Sequence, residues 1–259
     1  MANHVINGTI NIDWFGDRDK YEKSPLKVIT VGLNPSDREF SDATHPLPNV
    51  SLRFGNIPSS QIPVHPKKGF FPKAWNNYFN YNPLDWFASF EHVLRGLGAS
   101  YGGKMPDKKE EKVSCTAIHT DLCTPWATNP TWSKLPPSDK IALTNNYSFV
   151  EWKNLVANLK PDIIIACVPQ DYRVKLMEHN SPKDIIRIVS TLNGTKRKRP
   201  VIIRAYVCLG TLIVFGQTRN VPFGNVSNPT KNRIGQIIND CYQHLKTYGE
   251  ISSFHTRII

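Results

Sequence analysis

Three polar stretches hold the side chains with the most chemistry to offer, each after a run of mostly apolar or β-branched residues. The first is Gly32-Leu33-Asn34-Pro35-Ser36-Asp37, straight after Val28 to Val31. The second is His119-Thr120-Asp121-Leu122-Cys123-Thr124-Pro125, and the third Asn225-Val226-Ser227-Asn228-Pro229-Thr230-Lys231-Asn232-Arg233. An Asn amide donates and accepts but has no basic lone pair near neutral pH. Asn34 can therefore position a water without deprotonating it strongly. An ionised carboxylate such as Asp121 or Asp37 only accepts. In open α/β sheets, ligands collect beyond the carboxyl ends of the strands, so a polar side chain at 32–37 is a site candidate. Gly, Asn and Pro are also ordinary turn residues, and a plain strand-to-loop turn fits the same stretch.

The chain that must position these groups has 259 residues, enough for one sizeable core. Its 32 Lys and Arg against 21 Asp and Glu give a formal charge of +11, which favours a polyanionic partner such as nucleic acid. Five scattered cysteines, never spaced C-x-x-C, argue against a zinc or iron–sulfur site and against a secreted disulfide framework. No metal or cofactor is expected, and a reducing compartment fits: cytoplasm, or nucleus in a eukaryote. No apolar run reaches membrane-spanning length, and no signal pattern opens the chain.

Alternating strands and helices predict one α/β domain over 1–259, a three-layer α/β/α sandwich around a mainly parallel sheet. Strands are expected at 27–32, 114–119, 161–168, 201–207 and 212–215. Helices are expected over 84–97, near 170–178, from Ile234 to about Thr247, and after Ser138 or Asp139 as caps, towards Leu159. Residues 1–24 look like an N-terminal extension. The stretch 37–82 is long, rich in Pro and Asn, and interleaves Phe54, Phe70, Phe71, Trp75, Tyr78, Phe79 and Tyr81 with Arg53, Lys67, Lys68 and Lys73. Rings stack on bases while cations meet phosphates, so this composition suits a nucleic-acid groove. A lid packing its own aromatics is the competing reading. The basic cluster Thr195-Lys196-Arg197-Lys198-Arg199, just before the strand expected at 201–207, suits phosphate, a localisation signal, or a solvated hairpin loop. Neither G-x-G-x-x-G nor a Walker loop follows a predicted strand, which leaves a nucleotide-binding enzyme unsupported. His92 and His119 read as structural hydrogen-bonders.

In order along residues 25 to 247, the chain resembles the uracil-DNA glycosylase superfamily, closest to its mismatch-specific, thymine-DNA and single-strand-selective branches. Gly32-Leu33-Asn34-Pro35-Ser36 is similar to Gly-x-Asn-Pro-Gly. Gly69-Phe70-Phe71-Pro72 resembles the segment supplying a ring to stack on the extruded base. His119 to Pro125 looks like the base-reading loop, written His-Asn-Leu-Cys-Pro in one branch. The third stretch resembles His-Pro-Ser or Asn-Pro-Ser before a wedge and a helix. The resemblance implies a monomeric DNA glycosylase acting on double- or single-stranded DNA, in which Asn34 holds the attacking water. Gly32, Leu33, Pro35, Ser36 and Ser227 would line the pocket. Asn225 or Asn228 would donate to the pyrimidine O2, and Thr230, Lys231, Asn232 and Arg233 would meet DNA with Lys67 and Lys68. Asp37, or Glu39, lies near enough in sequence to assist.

Two departures matter. Ser36 replaces a Gly, and Asp121 stands where a uracil reader would carry Asn. An acceptor-only group opposes uracil O4 but suits the N4 amine of cytosine. The expected substrate is therefore a modified cytosine, with room in 37–82 for a bulky 5-substituent of the kind found in phage DNA, and a role in defence. Uracil or mismatch repair is the alternative, and a catalytically silent DNA-binding protein of the same fold is another. A one-residue slip would put Thr120 at the reading position.

Overall fold

Val28–Gly32 forms β1, buried at every position. A strand with no exposed face must be covered on both sides, which explains its run of Val, Ile and Thr. In the computed structural model, residues 12–35, 72–80, 83–103, 113–146, 149–177, 181–190, 194–217 and 221–259 are described. They form a seven-stranded sheet. Besides β1, its strands are β4 (Ile118–Asp121), β5 (Ile163–Ala166), β6 (Lys183–Ser190), β7 (Lys196–Cys208), β8 (Thr211–Phe215) and β9 (Arg257–Ile258). The order is β4-β1-β5-β8-β7-β6-β9. The first four run parallel, β7 pairs antiparallel with both β8 and β6, and β9 pairs parallel with β6. The result is an α/β fold with a mainly parallel sheet flanked by helices. Each large aliphatic side chain buried in β1 and β5 contributes roughly 1.5–3 kcal/mol.

The connection from β1 leads to β4 on one side, and the chain then returns to β5 on the other. The strand order therefore reverses between β1 and β5. In open sheets the crevice outside such a reversal is where ligands bind.

Several expectations change. The strand expected over 114–119 is two: β3 (Cys115–Thr116) pairs with β2 (Ala99–Ser100) in a separate parallel pair, and β4 carries Thr120 and Asp121 within the main sheet. The stretch 12–24 holds a short helix and packs into the core. Ile12, Trp14, Phe15 and Tyr21 are buried, Phe15 bridges His119, and Arg18–Lys23 forms α1, capped by Asp17. Pro72–Asn77 forms α2; Trp75 within it and Tyr78 and Phe79 just after it are core residues, packed edge-on or stacked against Trp14, Phe15, Phe87 and Tyr101. For these three rings the groove reading gives way to packing.

Helix α3 spans Ala88–Gly96, α4 Pro137–Asn146, α5 Phe149–Leu159 and α6 Gln170–Met177. Helix α4 begins at Pro137 with the amides of Asp139 and Lys140 bonded to the Pro136 carbonyl, so Ser138 and Asp139 lie in its first turn instead of capping it. The basic cluster 196–199 lies in β7, not in a hairpin loop. Helix α7 runs Asn228–Tyr248, starting six residues before Ile234. Ser227, not Asn228 or Thr230, is its N-cap: the Ser227 hydroxyl accepts from the Thr230 amide. Pro229 fits that first turn because its missing N–H would be unpaired there anyway.

Candidate functional site

The carboxyl ends of β1 and β4 lie side by side, with Thr30 opposite His119 and Gly32 opposite Asp121. Residues two apart on a strand share a face, so these four point to one side of the sheet. Gly32 is what allows Asp121 to lie across the end of β1. A Cβ there would sit 2.7 Å from Asp121 Oδ1 and 3.1 Å from His119 Nε2. His119 Nε2 is 3.5 Å from Asp121 Oδ1, and both residues are buried. Thr120 faces the other way, where its Oγ1 accepts from Trp152 Nε1 of α5 at 3.1 Å. The one-residue slip is thus disfavoured: Thr120 is held beneath a helix on the opposite face.

Asn34 follows β1 directly. Its Nδ2 donates to the Pro35 carbonyl at 2.8 Å and to Thr128 Oγ1 at 3.0 Å. The amide orientation is forced. The carbonyl only accepts, and Thr128 spends its single proton on the Pro130 carbonyl, 3.0 Å away, so Thr128 must accept from Asn34. Both Nδ2 protons are committed, and among the described residues Asn34 Oδ1 accepts nothing. A half-buried carbonyl oxygen fixed at a strand end can orient one water by accepting its proton.

Arg173 of α6 ties the remaining strand ends together, donating to the Val168 carbonyl beyond β5 and the Gly216 carbonyl beyond β8, each at 2.8 Å. At Gly216 a Cβ would meet Cys167 Sγ at 2.3 Å and the Phe223 ring at 2.7 Å, so this corner is closed. Phe90 of α3 has His119 at 6.1 Å between centroids on one side and Phe223 at 6.3 Å on the other. The aromatic wall thereby links the first two stretches to the third.

In the third stretch, the Asn225 carbonyl accepts from Arg197 Nη2 at 2.5 Å, so β7 is fastened to the approach to α7. Lys196, Lys198 and Arg199 are exposed along the same part of β7. Asn228 is exposed and its Oδ1 accepts from Lys231 Nζ at 3.3 Å, which turns its amide protons away from the lysine. Arg233 is exposed, Asn232 half-buried, and Thr230 Oγ1 meets Ser227 Oγ at 2.8 Å.

Lys231 departs from its sequence reading as a DNA-facing cation. It is 6% exposed, and its amine donates to Ser89 Oγ of α3 at 3.0 Å. Burial pushes its pKa down. Once α7 is started at Asn228, the pattern Lys231, Ile234, Gly235, Ile238 follows helical spacing, and all four are buried. That spacing was the signal available. An ammonium disfavoured in the fold binds its proton more weakly there than in the unfolded chain. Each unit of depression costs about 1.4 kcal/mol at neutral pH, and stability recovers as pH rises towards the unfolded lysine value of about 10.4. Lys231→Met is therefore expected to melt higher than wild type at pH 7, with the gap narrowing by pH 10; a variant melting lower throughout would contradict this.

Ser36, Asp37, Lys67, Lys68, Phe70 and Phe71 lie outside the described residues, as does Glu39. The structure brings together Gly32, Leu33, Asn34, Pro35 and Asp121. It adds Thr30, Tyr101, Thr128 and Ser89, which sequence reasoning missed. Thr30 alone carried a signal, as a hydroxyl inside an otherwise aliphatic strand. Among the described residues no three or more His, Cys, Asp or Glu side chains are placed to hold a metal ion, and no helix is long and apolar enough to cross a membrane. No protein-family model and no curated protein matches the chain.

Proposed function

We propose that this chain is a monofunctional DNA glycosylase that extrudes a modified cytosine and hydrolyses its N-glycosidic bond, leaving an abasic site. The observation that carries the reading is the juxtaposition at the end of β1. A water-orienting amide of forced orientation, Asn34, stands two residues after Gly32, across which a buried carboxylate, Asp121, is laid. A glycosylase cannot reach its bond within stacked DNA and must take the nucleotide into a pocket. The crevice outside the carboxyl ends of β1 and β4 is a suitable place, and Lys196, Lys198, Arg199 and Arg233 are exposed cations for the phosphates.

In this mechanism the base departs first, as an oxocarbenium-like sugar develops. Asn34 Oδ1 then holds the water for attack at C1′. An amide is too weak a base to generate hydroxide, so the rate comes from positioning and fixed electrostatics. Asp121 accepts from the exocyclic N4 amine. The exposed amide protons of Asn228, or those of Asn225, serve the pyrimidine O2 as charge builds on the leaving base. DNA is the partner, and a monomer suffices for this chemistry.

The test is a panel of oligonucleotides, single- and double-stranded, bearing uracil, thymine mismatches, cytosine and 5-substituted cytosines, read out as alkali-labile abasic sites. Excision of 5-substituted cytosine is expected. Excision confined to uracil or thymine mismatches would replace this reading with a repair glycosylase, and no excision with retained binding would point to a silent DNA-binding protein. Asn34→Ala is expected to slow base release about a hundredfold or more with DNA binding retained. Undiminished release would remove Asn34 from the mechanism.

A further inference from the structure

A polar chain runs through the apolar layer under the ends of β1 and β4. Tyr101 OH is 2.5 Å from Thr30 Oγ1, and Thr30 Oγ1 is 2.7 Å from His119 Nδ1. His119 Nε2 then faces Asp121 Oδ1 at 3.5 Å. All four side chains are buried. The imidazole is walled by Phe15, Trp86, Phe87 and Phe90, with ring centroids 5.1 to 6.1 Å away. Tyr101 is itself held: Phe79 stacks on it at 4.3 Å, and its backbone N–H donates to Glu91 Oε2 at 3.1 Å. Glu91 in turn accepts from Ser100 Oγ at 2.5 Å and sits 3.3 Å from Arg95 Nε.

With one proton each on the phenol, the hydroxyl and the imidazole, the chain can run in two directions. If Nδ1 carried the imidazole proton, it would donate to Thr30, and Thr30 to the phenol oxygen. The phenol proton would then have no acceptor among the described residues. The bare Nε2 lone pair would also face a carboxylate. In the opposite direction Tyr101 donates to Thr30, Thr30 donates to Nδ1, and the Nε2 proton lies on the side of the Asp121 carboxylate, 3.5 Å away. Both hydrogen bonds then have a donor and an acceptor, and the carboxylate faces a positive edge of the ring. A buried polar network is stable only when fully satisfied, so the second direction prevails. Burial also holds the Tyr101 phenol in its protonated, donating form.

We propose that Thr30 and Tyr101 are positioning residues for base selection: they keep the His119 proton on Nε2, where it faces Oδ1 of Asp121 at 3.5 Å and biases the carboxylate to present Oδ2 to the amine of a cytosine derivative. The inference rests on the reading of Asp121 as the base-selecting carboxylate. Neither residue touches the substrate. Without the phenol donor, Thr30 can donate or accept, the imidazole can carry its proton on either nitrogen, and Asp121 loses its fixed partner. Its carboxyl can then rotate, and the acceptor it presents to the base is no longer fixed in place.

The experiment has two arms, both on the full chain. Nitrogen-15 NMR of labelled histidine, with His119 assigned by loss of its signals in His119→Gln, reads the tautomer without any substrate. Protonation on Nε2 is expected in wild type, and a mixture in Tyr101→Phe and Thr30→Val. The second arm measures kcat/KM on 5-substituted cytosine relative to uracil. That ratio is expected to fall about tenfold in Tyr101→Phe and to recover in Thr30→Ser relative to Thr30→Val. An Nδ1-protonated His119 in wild type overturns the relay whatever the substrate proves to be. An Nε2-protonated His119 with an unchanged ratio in folded Tyr101→Phe overturns the positioning role. Wild type inert on every cytosine derivative overturns the base-selecting carboxylate, and the positioning role with it, even if the tautomer is as expected.

Discussion

Asp121→Asn is expected to exchange the preferred base: excision of the cytosine derivative falls and excision of uracil rises, shifting their ratio by about a thousandfold or more. The geometry decides which way the new amide sits. His119 Nε2 faces the Oδ1 position at 3.5 Å, and with its proton on that nitrogen, as proposed above, the amide oxygen is favoured there and the NH₂ takes the other position. The pocket then presents a donor where it had presented an acceptor. That donor suits uracil O4 and opposes the cytosine amine. The effect is large because the residue is 5% exposed, and an unpaired polar group in such a place meets no compensating water. The substitution adds almost no volume, so the fold should survive it. Steady-state excision on paired uracil and 5-substituted cytosine oligonucleotides measures the ratio. A folded variant with the wild-type ratio would remove Asp121 from base selection.

The second large effect concerns the two helices behind the pocket. Helices α3 and α7 touch at Gly96 and Gly235. A Cβ on Gly235 would lie 2.0 Å from the Val93 carbonyl oxygen and 2.8 Å from Gly96 Cα, and one on Gly96 would lie 2.0 Å from the Asn232 carbonyl oxygen. The atoms in the way are backbone within helices, so no rotamer change relieves the clash. The helices must separate, and a gap opens along the buried side chains between them. Gly235→Ala is expected to cost about 3 kcal/mol, at the upper end of overpacking effects, which lowers the melting temperature by roughly 6–12 °C for a chain of this size. Adding Gly96→Ala should cost much less than the sum, because the helices are already apart. Thermal and urea denaturation measure this; a change under about 2 °C in Gly235→Ala would mean that the helices yield freely. Separation also pulls Ser89 from Lys231 and shifts Phe90 against His119, so excision should fall alongside stability.

How far the sequence disclosed this depends on what each element is buried against. Strands β1, β5 and β8 are legible because both faces are covered by apolar neighbours and their side chains are almost all aliphatic. Strand β4 ends in His119, Thr120 and Asp121, which read as a loop because their partners come from elsewhere: Thr30 for His119, Trp152 for Thr120 and His119 for Asp121. Strand β6 was not anticipated. Its buried Ile185, Ile186 and Ile188 are interrupted by Lys183, Asp184 and Arg187, and Arg187 is exposed. Charged residues also hid the start of β7, which extends beyond its pairing with β8 at Arg204–Cys208 and carries exposed cations there. The opening aromatics look unpatterned because their partners are distant in sequence: Trp14 Nε1 donates to Asn76 Oδ1, and Tyr21 OH to the Leu159 carbonyl. Within the site, Asn34 and Asp121 were visible as residues. Their forced orientations were not, since Thr128 and His119 impose them through side chains that no local spacing connects.

The neighbour that fixes Asn34 also governs how that amide ages. Asparagine side chains are lost over time when the following backbone nitrogen attacks the amide carbon, closes a five-membered imide and expels ammonia. The residue after Asn34 is proline, whose nitrogen carries no hydrogen and cannot close that ring. Asn7 and Asn193, each followed by glycine, have no such protection. By this route, loss of the amide falls first on Asn7 and Asn193, and the Asn34 amide, the proposed holder of the water, is spared it.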